Sequence, residues 1–198
     1  MKLLLNILWL LALCQISLAQ YFPSEYWHEG YLVTIQGDSI KGNLKYDLEN
    51  DLVQLDKDGR IQTFSSRKMT FFEIFDATTE NYRKFYSIPY SVNLNYKVPR
   101  LFEVLYLGEL TLATREAVVQ EAISPTSSQI YGTRRRLTYR YYFIDKQGEV
   151  SNFNNKRSEL LEVMNPKSPE IKSYIKKNNL RMDRMSDLVR ITAFYNSI

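Results

Sequence analysis

The chain has 198 residues, 26 of them lysine or arginine and 22 aspartate or glutamate, for a net charge of +4. So mild an excess, spread along the sequence, excludes the dense basic patch of a nucleic-acid binder, and no nucleic-acid partner is expected. One cysteine and one histidine are too few for the usual Cys/His zinc sites; no metal site, catalytic residue or cofactor is assigned.

Lys2 is followed by an apolar run from Leu3 to Leu13, broken only by Asn6, and then by Ser17-Leu18-Ala19. A positive start, a short apolar core and small residues one and three places before Gln20 predict a cleavable secretory signal over 1–19. The run is too short to span a bilayer, which takes about 20 apolar residues, and no later stretch would anchor the chain. The expected location is therefore the periplasm or the cell surface. Cys14 follows the run as a lipobox cysteine would, but Leu13 stands where that motif needs a small residue. With Cys14 inside the signal, the mature chain has no disulfide and must be held by its core.

From Trp27 onward the apolar residues recur every second position. Tyr31, Val33 and Ile35 alternate with Leu32, Thr34 and Gln36. After Gly37-Asp38, Ile40, Gly42, Leu44 and Tyr46 alternate with Lys41, Asn43 and Lys45. A two-residue period joined by a turn dipeptide predicts a hairpin. Leu52–Leu55 and Arg60–Phe64 form a second hairpin across Asp56-Lys57-Asp58-Gly59, and Phe71–Phe75 and Tyr82–Tyr86 add strands. Pro89 and Pro99 confine Ser87–Pro99 to an edge or a loop. Leu101–Leu107 and Leu110–Thr114 flank the turn Gly108-Glu109. Between Arg115 and Arg136 the pattern weakens. Ser124-Pro125-Thr126-Ser127-Ser128 reads as an exposed loop ending at Arg134-Arg135-Arg136, with a short ordered piece around Val118–Ile123. Leu137–Ile144 and Val150–Phe153 close the strand series around Gln147-Gly148.

The last forty-odd residues change period. Leu160, Leu161 and Met164 form a short apolar stripe. Ser168-Pro169-Glu170 predicts a helix start with a serine cap, Ile171, Tyr174 and Ile175 its inner face, and Asn178-Asn179 its stop. A further helix runs from about Met185, with Leu188, Val189, Thr192 and Tyr195 at helical spacing. The expected fold is α+β: an antiparallel β meander or partial barrel followed by two to three C-terminal helices. No linker or repeat divides it, so 20–198 is read as a single domain, with 20–153 mainly β and 154–198 mainly α.

Gly30-Tyr31-Leu32-Val33-Thr34 through Gly37-Asp38-Ser39-Ile40-Lys41-Gly42 resembles the opening of uncharacterised exported α+β proteins common in Bacteroidota. Phe102-Glu103-Val104-Leu105 with Gly108-Glu109 is similar to their central strand pair. Tyr142-Phe143-Ile144, Gly148, the segment Pro166 to Asn178 and the closing Tyr195-Asn196-Ser197 are similar to their tail. The resemblance implies the compartment and the fold, and brings no activity with it.

His28, flanked by Glu25 and Glu29, has the partners a catalytic base needs, but its place before the first strand makes it a surface or packing residue. The acids Asp47, Glu49, Asp51, Asp56 and Asp58 suggest calcium, but Arg67 stands where the loop's distal glutamate belongs, and a solvated hairpin tip accounts for them. Arg134, Arg135, Arg136, Tyr139 and Arg140 form the most basic stretch, interleaved with aromatics. They are the candidate surface for an anionic ligand such as a lipid headgroup, polysaccharide or acidic protein, although a basic run is commonly a solvated face. Three functional classes follow: a non-enzymatic envelope protein that binds a protein or glycan partner, a carboxylate-dependent hydrolase of an envelope glycan or peptide, and a structural accessory of an outer-membrane assembly.

Overall fold

The computed structural model describes residues 22–93, 96–122 and 132–198. The signal segment 1–19 with Cys14, and the loop Ser124–Ser128, lie outside the described residues. Ten strands follow in chain order. They are β1 (His28–Thr34), β2 (Ser39–Asp47), β3 (Leu52–Lys57), β4 (Arg60–Ser65), β5 (Met69–Asp76), β6 (Asn81–Asn93), β7 (Tyr96–Tyr106), β8 (Thr111–Ala122), β9 (Thr133–Ile144) and β10 (Val150–Phe153). Three helices close the chain: α1 (Arg157–Val163), α2 (Ser168–Lys177) and α3 (Met185–Ser197). All the strands join one sheet in the order β10-β9-β8-β7-β6-β5-β1-β2-β3-β4, with antiparallel neighbours throughout. The fold is α+β, as the periodicity predicts. The sheet is open, not a barrel, because β10 and β4 are its two edges.

Local chemistry sets the turns. Gly37, Gly59 and Gly148 all have positive φ, and Asp58 beside Gly59 does too, the pair that a tight hairpin turn requires. Asn178 caps α2, and Asn179 turns the chain out at φ 50. Ser168 departs from expectation. It is the first helical residue, the cap position falls to Lys167, and no side chain caps the helix.

Two departures lie in the sheet. Pro89 and Pro99 sit directly opposite one another in a regular β6–β7 pairing. Neither breaks a ladder, because β5 leaves β6 at Tyr86 and β8 reaches β7 only at Glu103. Both prolines thus occupy edges, as the sequence predicts, where their missing N–H is tolerated, and the departure is only that the segment around them pairs as regular strand. The second departure is β8–β9, paired without interruption from Thr111↔Ile144 to Ala122↔Thr133. Arg134, Arg135 and Arg136 therefore belong to a strand and do not end a loop.

The inward face divides into two cores. Leu32, Leu44, Tyr46, Val53, Leu55, Phe72, Ile74, Phe85 and Leu101 fill the N-terminal half, with Phe72 and Phe85 stacked at 4.5 Å. In the C-terminal half, Leu112, Phe143 and Phe153 pack under Leu160, Ile171, Leu188, Ile191 and Tyr195 of the helices. Asn196 fixes α3 to the β7–β8 turn, its Oδ1 accepting from Leu110 N–H at 3.0 Å and its Nδ2 donating to Leu110 C=O at 2.9 Å. Gly108 lets it approach, since a Cβ there would lie 2.5 Å from Asn196 Oδ1. Among the described residues no helix is long and apolar enough to cross a membrane.

Antiparallel neighbours lie about 4.8 Å apart, so in a flat sheet β2 and β8, five steps apart in the strand order, would be about 24 Å apart. Yet Tyr46 of β2 donates to Glu116 of β8 at 2.5 Å. The sheet therefore curls until those two strands face one another.

A second tie crosses the same gap. Asp51, in the β2–β3 connection, accepts from Leu101 N–H at 2.8 Å and pairs with Arg100 at 2.6 Å and Arg115 at 2.7 Å. Arg115 also donates to Leu101 C=O at 2.6 Å and to Leu48 C=O. Where β7 and β8 part, side chains replace the missing ladder bonds. Asp51→Ala removes the acceptor for one buried N–H and two guanidinium groups, and leaves alanine at φ 55. Urea denaturation should show a loss of about 2–4 kcal/mol; a loss below about 0.5 kcal/mol would mean the tie is incidental.

Candidate binding cleft

Arg83 of β6 is the centre of a buried polar cluster. Its Nε and Nη2 donate to the two Glu103 oxygens at 2.9 and 2.7 Å. Nη2 also reaches Glu116 at 2.9 Å, and Nη1 reaches Asp76 at 3.2 Å and the Tyr46 hydroxyl at 2.9 Å. Each of these residues is less than a tenth exposed. Strand alternation places Arg83 beside Phe85 and Glu103 beside Leu101 on the inward face, so the charges occupy core positions. Burial opposes the Arg83 charge, but the hydrogen bond and charge of Glu103, with Tyr46 and Glu116, outweigh it and raise its pKa. Burial raises Tyr46 strongly; the Arg83 charge opposes that and Glu116 adds to it. Asp76 is raised by burial, but the hydroxyl and N–H of Thr78, followed by Arg83, bring its pKa below the ordinary carboxylate value.

Outward from Tyr46 and Glu116 opens a cleft of about 770 Å³ between the end of β2 and the flank of β8. Lys45 and Asp47 line one side, Ala117 and Val118 the other, and Arg100 and Arg115 stand at the end tied to Asp51. Tyr90 and Tyr142 add an aromatic wall, edge to face at 5.9 Å. A second depression of about 500 Å³ shares Tyr90, Arg140 and Tyr142 and continues to Asn152 and Asn154. Of the cations here, Arg100 and Arg115 are paired with Asp51, whereas the side chains of Lys45 and Arg140 make no ion pair or hydrogen bond among the described residues.

The five residues of the basic stretch do not form one surface. Arg134 and Arg136 both pair with Glu121, at 3.3 and 2.5 Å. Arg135, on the opposite face, pairs with Glu25 and lies 4.7 Å from the Phe22 ring centre, holding the N-terminal turn Pro23–Glu25 to β9. Tyr139 sits opposite Glu116 in the ladder and borders only the smaller depression, while Arg140 lines both. His28, which begins β1, is buried. Its Nε2 lies 2.7 Å from Pro23 C=O and its ring stacks on Tyr46 at 6.0 Å, so it is a packing residue within a strand.

Sequence reasoning missed Arg83, Glu103, Glu116 and Asp76, although charges at inward strand positions signal such a cluster. It also read Asp51 as part of a solvated acidic tip. No protein-family model matches the chain, and neither a curated protein nor a solved structure matches it.

Because Tyr46 is raised above the ordinary phenol value of 10.0, its contribution to stability is complete below about pH 10 and is lost as pH rises, when the unfolded phenol ionises first. In Tyr46→Phe the alkaline decline between about pH 10 and 11.5 should be shallower by about 1.4 kcal/mol per pH unit, one proton's worth. Identical slopes in denaturant titrations of the two proteins would contradict the burial of that phenol.

Proposed function

We propose that this chain is an exported envelope protein, related to the Bacteroidota proteins it resembles, that acts by binding a partner and not by catalysis. The observation that carries this reading is the cleft along β2 and β8, which is lined by tyrosines and by the cations Lys45 and Arg140, and whose buried acid Glu116 is committed to Arg83 and Tyr46. A hydrolase working through carboxylates needs two of them facing a substrate across about 5–10 Å. Here Glu103 and Glu116 both grip one guanidinium, and Asp51 is shared by two arginines and a backbone N–H. Acids whose oxygens are taken up by guanidinium and backbone donors are poorly placed to face a substrate, which suits structure better than catalysis. The aromatic wall and the cations Lys45 and Arg140 suit a partner that is a protein or a glycan.

The test is retention of solubilised envelope components on the immobilised protein, compared with Arg140→Glu and with Glu116→Gln. The expected result is a component retained by the parent protein, released by Arg140→Glu and left chemically unaltered. Cleavage of that component by the parent protein, abolished in Glu116→Gln, would overturn the reading in favour of a hydrolase.

A further inference from the structure

The cleft touches Lys45, Tyr46 and Asp47 in succession, and Glu116, Ala117 and Val118 in succession. Consecutive side chains on a strand point to opposite faces. A cavity that meets three in a row lies along the strand's edge, where the backbone is.

Among the described residues both edges are free there. β8 pairs with β9 along its full length but with β7 only from Glu103↔Thr114 to Tyr106↔Leu112. From Arg115 to Ala122 one of its edges faces no strand among the described residues. β2 pairs with β1 only as far as Leu44 and continues to Asp47 with β3 alone. The curl aims these two edges at each other, and the hydroxyl of Tyr46 on Glu116 marks the line where they meet. Among the described residues the β8 edge beyond Arg115 receives no backbone bond from a turn or loop; the Thr138 hydroxyl, from β9, donates to Ala117 C=O at 3.0 Å. The sheet's outer edges, β10 with four residues and β4 with six, are the short kind that resist pairing, with Arg60 and Gln62 exposed on β4. The β8 edge lies instead in a walled slot from Arg115 to Val118 and continues beyond it to Ala122.

We propose that the cleft binds an extended peptide segment of a partner protein as an added strand along β8. This rests on the binding reading above and narrows its partner to a polypeptide. Strand addition draws affinity from main-chain hydrogen bonds and specificity from pockets for alternate side chains. The slot supplies both. Every second N–H and C=O of β8 faces it, Tyr90 and Tyr142 offer an aromatic wall, and Lys45 and Arg140, whose side chains have no ion-pair partner among the described residues, can pair with an acidic side chain of the segment. Arg115, bonded to Leu101 and Leu48, closes one end, so the added strand starts beside Glu116 and runs toward Ala122. A strand of the usual length, about five or six residues, would lie in the slot at its start and continue along the β8 edge past Val118. A glycan would meet the same tyrosines and cations but has no use for a strand edge.

The experiment pans a phage-displayed library of random heptapeptides on the folded protein, with a panel of acidic oligosaccharides tested in parallel. An enriched peptide is then resynthesised in two series, each N-methylated on alternate amides. The expected result is that one series loses about ten-fold or more in affinity while the other binds nearly as before, since only alternate amides reach the β8 edge. Amide hydrogen exchange should slow at every second residue between Glu116 and Val119, those whose N–H faces away from β9, when the unmodified peptide binds. Equal binding by the two series, or unchanged β8 exchange, would overturn strand addition and leave the binding function standing. Oligosaccharides bound in place of peptides would do the same. If neither library binds, strand addition and the binding function fall together.

Discussion

The curl of the sheet depends on one buried cation. Arg83 projects from β6 into the concave face and is gripped by Glu103 of β7, Glu116 of β8 and Asp76 of β5, with Tyr46 of β2 completing its shell. These five residues belong to five different strands, and no apolar side chain could draw them to one point with the same directional constraint. Burying such a cluster is a weak source of net stability, because desolvation offsets much of the attraction. Its consequence here is geometric. The guanidinium dictates where β2 and β8 come to rest relative to each other, and the aromatic core of Phe72 and Phe85 packs around that choice.

The open seam is the other side of the same arrangement. Six strands from β2 to β8 wrap the Arg83 cluster, but the two end strands meet through side chains, Tyr46 to Glu116 and Asp51 to Arg115, and not through a backbone ladder. β7 and β8 diverge above Glu103, so the β6–β7 and β8–β9 arms separate and the β2–β3 connection enters between them. The cleft is what remains at that junction. Its walls come mainly from strands, with Leu48 and Glu49 of the β2–β3 connection at one place, which suits recognition without large rearrangement.

Much of the architecture was legible in the sequence because periodicity and turn chemistry agree. The hairpin around Gly37-Asp38 and the helical spacing of Leu188, Thr192 and Tyr195 both reappear in the structure. In β1, however, the inward residues are Leu32 and Thr34, not Tyr31, Val33 and Ile35, because Leu32 pairs with Ile40 on the core face of β2. The stretch Arg115–Gln120 did not read as a strand because its pattern obeys a different demand. Glu116 is the inward residue, serving Arg83, while Arg115 serves Asp51, so charge occupies positions where an apolar residue would have shown the period. For the same reason the three consecutive arginines drew notice for their density alone. On a strand they alternate faces, and each is answered by Glu121 or Glu25. The residues that shape the cleft are far apart in the chain, as Tyr46 and Glu116 are, and only the tertiary curl brings them together.

The central claim is that a single buried guanidinium sets the curl, and Arg83→Met tests it most directly. Methionine matches much of the side chain's length while leaving Glu103, Glu116 and Asp76 confined without their cation. Denaturant titration at neutral pH should show a loss of about 3–5 kcal/mol in the free energy of unfolding. An Arg83→Met protein within about 0.5 kcal/mol of the parent would contradict that claim.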